Sequence, residues 1–382
     1  MITRRHLLFA GGASVAIVAT GATAFALTRE PTAALAPWSQ ASSGYGDPRL
    51  NALSYAVLSP NPHNRQPWLV RLDDGLDMTL FCDLDRRLPA TDPEDRQITI
   101  GLGCFLELAH LAAQADGFDT QVTLFPDGVP DGRLDERPVA RLTLQESASA
   151  VSDPLFAHVL ERRSNKEPYD TSRPLSPEIL ATLIASGRST EIAGSVADQD
   201  IADLRDLTWR AHLVEAETPP AFQESIDLMR FGKAQILANP DGIDLGGPFL
   251  EALYHIGMLT PESLADPGST AYAQGLDMYR ELIHTAMGHI WVVTDTNDRA
   301  DQIAAGRDWL RINLAATSLG VGLHPLSQSL QEYPEMTPLL VEVHERLGIS
   351  APRRVQMLAR VGYGQSVPPS PRWPMETRVV TA

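Results

Sequence analysis

The hydrophobic pattern of the chain contains two similar helical segments, one in each half. The first runs from Gly103 to Gly117 and the second from Gly306 to Gly320, and both carry Leu-Ala-Ala at the same distance from their first glycine. Apolar residues cover nearly the whole circumference of the first segment, which is typical of a buried helix. Both closing glycines suit a helix end, where a positive φ is favoured. The shared glycine frame favours an internal duplication over a chance likeness between two helices rich in Ala and Leu.

Strand-like runs surround both helical segments. Alternating or β-branched apolar residues predict four strands around the first helix and two around the second. These runs are residues 68–72, 78–84, 121–125, 139–144, 290–294 and 355–361. Each half therefore places a β-sheet around a buried central helix, which is an α+β fold.

The repeat divides the chain into a first half at residues 46–150 and a second half at residues 151–382. Residues 215–275 break the symmetry and contain turn sequences such as Asn-Pro-Asp-Gly at 239–242. We interpret these residues as a helical insertion. The insertion either covers a site as a lid or is a plain surface excursion.

The first 26 residues have the pattern of an export signal. Arg4 and Arg5 precede an apolar stretch that closes with Ala-Phe-Ala at 24–26, and this resembles a twin-arginine signal peptide. The resemblance implies a periplasmic or otherwise exported protein that the twin-arginine export machinery carries in folded form, often with its cofactor. The alternative is an uncleaved membrane anchor, because about 20 apolar residues can span a bilayer. Residues 27–45, rich in Ala, Pro, Ser and Gly, predict a linker.

The charge and the cysteines restrict the function classes. The chain has 382 residues, with 31 Lys and Arg against 48 Asp and Glu, which gives a net charge of −17. An acidic surface repels phosphate backbones, so we expect no nucleic-acid partner. Two cysteines, Cys82 and Cys104, cannot form a four-thiolate zinc site; they either pair or stay buried and free, and the latter is commoner. The histidines show no ligand spacing, and we predict no metal.

Several common enzyme motifs are absent from the sequence. No G-x-G-x-x-G follows a strand, and neither a P-loop nor a G-x-S-x-G motif occurs. A dinucleotide fold, a P-loop nucleotidase and a serine hydrolase are therefore disfavoured.

Two polar segments remain as candidate sites. Residues 59–68 read Ser-Pro-Asn-Pro-His-Asn-Arg-Gln-Pro-Trp, and their three prolines fix φ around short amide side chains. Residues 162–169 read Arg-Arg-Ser-Asn-Lys-Glu-Pro-Tyr, and an anion such as phosphate suits their cations, because guanidinium groups bind it bidentately. Taken singly, the first is also compatible with an ordinary turn and the second with a solvated helix end.

Together the two segments resemble the nitroreductase superfamily of FMN proteins. In that family an Arg-x-Ser-x-Lys segment binds the FMN phosphate and ribityl chain, and a Ser-Pro-Ser-x-x-Asn-x-Gln-Pro-Trp loop from the other subunit lies against the flavin ring. Asn61 and Pro62 depart from that loop pattern, in which small hydroxyl residues occur. The cofactor-binding residues that the resemblance implies in these segments are Pro60, Asn61, Pro62, Asn64, Gln66, Arg162, Ser164 and Lys166.

The resemblance extends to two later segments. A turn that faces the flavin follows the second buried helix in this family, and the matching residues are Pro325, Leu326 and Ser327. Basic residues follow a Gly-Tyr-Gly-like strand end, and Arg372 is the candidate for a further phosphate contact. The family more often has two basic residues there.

The loop lies in the first half and the Arg-x-Ser-x-Lys segment opens the second, so we expect one FMN per chain. This implies a nitroreductase-like fold of two fused half-units with a lid-like insertion, working as a monomeric pseudo-dimer or a homodimer. The arrangement resembles the Acg-type subfamily, whose members are described as flavin-binding proteins of doubtful reductase activity.

Three functions follow from the resemblance. The first is an FMN-dependent oxidoreductase that uses flavin N5 rather than a catalytic side chain, with Lys166 stabilising the reduced ring and an electron-poor acceptor such as a nitro compound or a quinone. Because NAD(P)H is not expected outside the cytoplasm, an exported enzyme needs another small-molecule donor. The second is a non-catalytic flavin-binding or storage protein with a lid over the FMN. The third is a flavin-free interaction module.

Overall fold

The computed structural model describes residue 25 and residues 28–380. The predicted signal peptide at residues 1–26 therefore lies outside the described residues, apart from Phe25. The elements begin with α1 (Thr32–Gln40) and α2 (Pro48–Ala56), which precede the first sheet.

Two long helices form the centre of the molecule, as the repeat predicts. They are α3 (Arg96–Ala115) and α11 (Arg299–Ser318), and most residues of each are buried. They pack directly against each other, and the Cys104 thiol donates a hydrogen bond to the carbonyl of Gly306 at 3.0 Å. Gly117 and Gly320 follow the two helices with positive φ. Cys82 and Cys104 are buried and free.

Each half contributes one mainly antiparallel sheet. The first has the order β11-β1-β2-β4-β3, and the second has the order β5-β8-β10-β9. The strands of the first sheet are β1 (Trp68–Leu72), β2 (Asp77–Cys82), β3 (Phe118–Leu124), β4 (Ala140–Glu146) and β11 (Val379–Val380). Those of the second are β5 (Glu191–Ser195), β8 (Gly288–Thr294), β9 (Gly322–Pro325) and β10 (Arg354–Gly362).

The two sheets repeat one topology. Without β11, each sheet places its own strands in the order first, second, fourth, third, and its central helix connects the second strand to the third. The α+β fold of two fused half-units is therefore confirmed. The six predicted strands are all present, whereas β5, β9 and β11 were not predicted, because they are short and have few apolar positions.

The C-terminal segment returns from the second half to the first. Its last strand, β11, pairs in parallel with β1, with Val379 opposite Val70. This return carries Arg372 back to the loop that precedes β1.

The insertion between β5 and β8 occupies residues 196–287, whereas the corresponding connection in the first half is only residues 73–76. The predicted range of 215–275 is shorter than this connection, because most of α5 precedes it and has the apolar stripe of an ordinary core helix. The other helices outside the insertion are α4 (Pro177–Ile184) and α12 (Thr337–Arg346). The insertion contains α5 (Asp198–Glu217), α6 (Pro219–Asp227), β6 (Met229–Phe231), α7 (Gly232–Ala238), β7 (Ile243–Leu245), α8 (Pro248–His255), α9 (Pro261–Ala265) and α10 (Thr270–His284).

The linker predicted at residues 27–45 was wrong for most of its length. Residues 32–40 form α1, and a 3-10 turn follows at Ala41–Ser43. The physical reason is burial: Ala34, Trp38 and Ala41 are at most 7% exposed. Their apolar contacts offset the entropy lost when the segment becomes ordered.

Among the described residues, α3 is long and apolar enough to cross a membrane by length and composition. Its most apolar window is 83% buried inside the protein. This is how the core helix of a folded domain behaves.

Candidate functional site

The loop between α2 and β1 has an unusual backbone. His63, Asn64 and Gln66 all have positive φ, at 46°, 52° and 53°. Residues with a side chain adopt this region rarely, and they persist there only when the surroundings hold them. Asn61 holds part of the loop in this conformation. Its Oδ1 accepts a hydrogen bond from the Gln66 amide at 2.6 Å, and its Nδ2 donates to the Ser59 carbonyl at 3.1 Å.

Two amide side chains fasten the loop to distant segments. Gln66 is fully buried; its Nε2 donates to the Pro240 carbonyl at 2.7 Å, and its Oε1 accepts from the Trp373 amide at 2.9 Å. Asn64 donates to the Pro371 carbonyl at 3.0 Å and accepts from Arg372. The side chains of Asn64 and Gln66 thus join the loop to the insertion and to the C-terminal segment.

The predicted arginines meet at one end of this loop. The Nη2 atoms of Arg162 and Arg372 donate to the same acceptor, the Leu58 carbonyl, at 3.1 Å and 3.2 Å. Arg372 also donates to the Ser59 carbonyl at 3.2 Å. The two side chains are only 3% and 2% exposed. Segments distant in sequence therefore place two buried cations side by side.

This pair of cations has no carboxylate partner among the described residues. Burial lowers the pKa of Arg162 to about 10, and it also lowers the pKa of Arg372, to which repulsion by Arg162 and Arg163 contributes. The Nε atoms of all three arginines are buried without a hydrogen-bond acceptor. Elsewhere in the core, Arg311 behaves differently, because it pairs with Glu107 at 3.0 Å and with Asp153 at 2.9 Å.

Buried charges are normally paired, since desolvation of an isolated ion is strongly unfavourable. Two adjacent guanidinium groups whose Nε donors lack an acceptor, and which have no acid partner among the described residues, suit an anion such as phosphate. The donor set at this end of the loop therefore fits a phosphate, and we call it the arginine cluster (Arg162, Arg163 and Arg372).

The segment that follows Arg162 carries a third predicted cation, Lys166. The amide of Asn165 donates to the Leu323 carbonyl at 3.0 Å, which fixes the segment after Arg162 beside β9. Water reaches the Lys166 side chain, yet protein surrounds it closely enough for desolvation to lower the pKa of its ammonium, an effect that Asp244 of the insertion opposes. Lys166 is thus an exposed residue of the second predicted segment that interacts electrostatically with Asp244 of the insertion.

Two histidines lie near this lysine. Desolvation lowers the pKa of His63 to about 4, and repulsion by Lys166 and Arg65 adds to the effect. Desolvation also lowers the pKa of His324, with contributions from Arg360 and Lys166, and its Nδ1 accepts a hydrogen bond from Arg360 at 2.9 Å. Both histidines are therefore neutral at neutral pH.

The predicted turn after β9 lies beside His324. Pro325 and Ser327 are partly exposed, whereas Leu326 is buried and its amide donates to the Leu358 carbonyl at 2.8 Å. Ser164 is also partly exposed. The structure thus brings Arg162 and Arg372 together with the predicted loop, and it places Lys166 near His63 of that loop and near His324, which directly precedes Pro325.

Several residues of this site were not predicted. Trp38 lies in the segment interpreted as a linker, and Asp244 lies in the insertion, where no motif marks it. His63 and Arg163 lie inside the two predicted motifs and were not singled out for the site. Their side chains become significant only through contacts between segments that are far apart in sequence.

The amino-acid sequence of the chain is similar to those of several known proteins. No family model matches the chain. A protein of Mycobacterium tuberculosis provisionally named NAD(P)H nitroreductase is 25% identical over 342 residues, which cover 85% of this chain and 91% of that protein. Over most of its length the chain is thus similar to a protein named as a nitroreductase.

Other similar proteins match smaller parts of the chain. Acg of Mycobacterium tuberculosis, also provisionally named NAD(P)H nitroreductase, is 36% identical over 156 residues, or 40% of this chain and 44% of Acg. Among solved structures, the FMN-dependent nitroreductase NfnB of Mycobacterium smegmatis, in complex with NADPH, covers 58% of this chain and 96% of its own, with 13% identity and a TM-score of 0.35. A nitroreductase from Desulfovibrio desulfuricans in complex with FMN covers 59% and 95%, with 13% identity and a TM-score of 0.32.

Proposed function

We propose that this chain is a nitroreductase-superfamily protein that binds one FMN and acts as an oxidoreductase, passing electrons from a small-molecule donor to an electron-poor acceptor such as a nitro compound or a quinone. The observation that carries the proposal is the arginine cluster, in which Arg162 and Arg372 lie buried side by side with no carboxylate partner in the part of the chain that the structure describes. The name of the Mycobacterium tuberculosis relative supports the same reaction class.

The residues divide into those for the phosphate and those for the ring. Arg162 and Arg372 would hold the phosphate, with Ser164 two residues after Arg162 in the chain. The ring would lie between Pro60, Asn61 and Pro62 on one side and the turn Pro325, Leu326 and Ser327 on the other. When bound, FMN supplies the electron-transfer chemistry, and the protein supplies binding, orientation and electrostatics. The Lys166 ammonium at the ring end would stabilise negative charge on the reduced ring.

The visible absorption spectrum of the purified protein tests this proposal. We expect a flavin spectrum, after incubation with FMN where needed, that dithionite bleaches and that an added quinone or nitro compound restores. Arg162→Gln should lose most of the bound flavin, and Arg346→Gln, an exposed residue paired with Asp203, serves as the control. A wild-type protein that takes up no FMN would refute the proposal.

One observation favours a second candidate, a flavin-storage protein. The insertion is fastened to the loop, because Asp241 pairs with Arg65 at 3.2 Å and with Arg86 at 2.6 Å, and the Gly242 amide donates to the Asn64 carbonyl at 3.3 Å. A closed insertion would restrict access of donors and acceptors to the ring. Multiple-turnover reduction of a quinone by a mild donor would exclude storage, whereas a flavin that only dithionite reduces would favour it.

We propose further that the protein is exported through a twin-arginine signal, with an uncleaved membrane anchor as the alternative. The support is the Arg4-Arg5 pair ahead of an apolar stretch and an Ala-Phe-Ala site. Arg4→Lys with Arg5→Lys should leave the protein in the cytoplasmic fraction. Release of the mature protein from the periplasm by osmotic shock would distinguish a cleaved signal from an anchor, and unchanged export of the double variant would refute the proposal.

A further inference from the structure

The N-terminal helix α1 covers the arginine cluster. Its residue Trp38 is 7% exposed, and its ring lies 5.9 Å, 4.7 Å and 5.5 Å from the guanidinium carbons of Arg162, Arg163 and Arg372. One indole therefore contacts all three cations of the cluster.

Two hydrogen bonds fix this helix to the C-terminal segment. The indole Nε1 of Trp38 donates to the Ser370 carbonyl at 2.9 Å, and the amide of Arg372 donates to the Ala34 carbonyl at 2.8 Å. These bonds place the helix on the segment that carries one of the cluster's own arginines. A displacement of α1 would therefore uncover the cluster.

The chemistry of the contact explains why a tryptophan is present. The face of an indole carries a negative quadrupole and attracts guanidinium groups. The attraction offsets part of the repulsion between three neighbouring cations, although it supplies no acceptor for their N–H donors. The buried Nε atoms of the three arginines, which lack acceptors, also point to an anion at this place.

We propose that residues 32–40 form a strap that closes over the phosphate end of the site, with Trp38 as the positioning residue that retains the phosphate group. The proposal rests on the proposed FMN function and adds that the cofactor enters and leaves after the strap lifts. The strap has few buried side chains, mainly Ala34, Pro37 and Trp38, so its local opening requires far less free energy than global unfolding.

We expect the strap to act on the phosphate and not on the ring, because the Trp38 indole contacts all three arginines of the cluster. FMN and riboflavin share the ring and differ in the phosphate. A comparison of the two ligands therefore separates the strap from a general effect on the site.

The test measures the dissociation rates and the dissociation constants of FMN and riboflavin by flavin fluorescence, with the full chain, for the wild type and for Trp38→Ala, Trp38→Phe and Ser39→Ala. We expect Trp38→Ala to release FMN at least about tenfold faster, an effect of the size of one cation–π contact, and to bind riboflavin as the wild type does. Trp38→Phe should restore part of the retention, because it keeps an aromatic face. Ser39→Ala, on the exposed side of the strap, should behave as the wild type.

Three results would overturn the proposal. FMN release unchanged in Trp38→Ala would show that the strap does not retain the phosphate. Tighter FMN binding by Trp38→Ala would show that the indole competes with the phosphate. Equal weakening of FMN and riboflavin would show a general structural effect. A wild type that binds neither flavin would instead refute the proposed function itself, and the strap with it.

Discussion

Gly103 and Gly306 face each other where α3 crosses α11, and their contacts are reciprocal. A Cβ atom on Gly103 would lie 2.3 Å from the carbonyl oxygen of Ile303, and one on Gly306 would lie 2.0 Å from the carbonyl oxygen of Ile100. Each glycine thus meets the residue three positions before the other glycine. Reciprocal contacts of this kind are those of a two-fold interface, and here the two faces belong to one chain.

The first prediction concerns this crossing. Gly103→Ala or Gly306→Ala should lower the free energy of unfolding by about 1–3 kcal/mol or more, because the methyl group overlaps backbone that cannot move alone. Urea denaturation measures this. The matched control is Gly275→Ala in α10, where nothing lies within 4 Å of the added Cβ. This control should raise stability by up to about 1 kcal/mol, and equal effects at the two sites would contradict the close packing.

The second prediction separates binding from stability at the arginine cluster. Arg162→Met should weaken FMN binding about 10- to 100-fold, the effect of losing one or two charged hydrogen bonds. The same change removes a buried cation without an acid partner, so the cofactor-free protein should keep its stability. Titration with FMN and urea denaturation of the apoprotein measure the two effects.

The control for this variant is another buried arginine, Arg311. Arg311→Met leaves Glu107 and Asp153 without this partner and should lower apoprotein stability by about 3–5 kcal/mol. If Arg162→Met destabilised the apoprotein as much as Arg311→Met, the view that Arg162 is kept for an absent anion would be wrong.

The third prediction concerns Glu215 on α5. Desolvation raises the pKa of this carboxyl to about 7, although Gln331 donates a hydrogen bond to it at 2.8 Å. A carboxyl with a raised folded-state pKa contributes stability below its unfolded pKa and loses that contribution as pH rises through the folded value. Its contribution should therefore disappear between pH 4.5 and 7.

Glu215→Gln removes this titration. The stability of the variant relative to the wild type should increase with pH over that interval, by up to about 3 kcal/mol in total. Urea denaturation at several pH values from 5 to 8 gives the difference at each pH. Parallel pH profiles for the two proteins would contradict the raised pKa, whatever the constant offset between them.

The fourth prediction concerns the attachment of the insertion. Asp241 pairs with Arg65, Arg86 and Arg230, and Asp241→Asn should lower stability by about 3 kcal/mol, since three cations lose a buried acid. Hydrogen exchange of residues 239–247 should become faster than in the wild type. The exposed pair of Asp135 and Arg137 is the control, and Asp135→Asn should change stability by less than about 1 kcal/mol. Unchanged exchange in Asp241→Asn would mean that other contacts hold the insertion closed.

The sequence predicts the parts of this molecule that depend on local patterns. The segment from Gly103 is visible because it is apolar on all sides, and the segment from Gly306 because it shares the same glycine frame. The helices themselves begin earlier than these segments, at Arg96 and Arg299. The long strands are visible because they alternate or are β-branched. Asn64 and Gln66 belong to a recognisable loop, but their use in fastening that loop depends on the carbonyls of Pro371 and Pro240, which no local pattern brings near.

The remaining features depend on contacts between distant segments. Trp38 lies in a stretch whose composition indicates a linker, and the helix is stabilised by the burial of Ala34, Trp38 and Ala41. The limits of the insertion were misjudged because α5 has an apolar stripe like that of any core helix. The two-residue strand β11 is stabilised by its pairing with β1 and has no signal of its own.

The most direct measurement of the central claim compares FMN and riboflavin as ligands of the purified apoprotein. If the arginine cluster holds the phosphate, the protein takes up one FMN per chain and binds FMN at least about 100-fold more tightly than riboflavin, as expected for two or more charge-assisted hydrogen bonds. Binding of the two flavins with equal affinity, or of neither, would contradict the account.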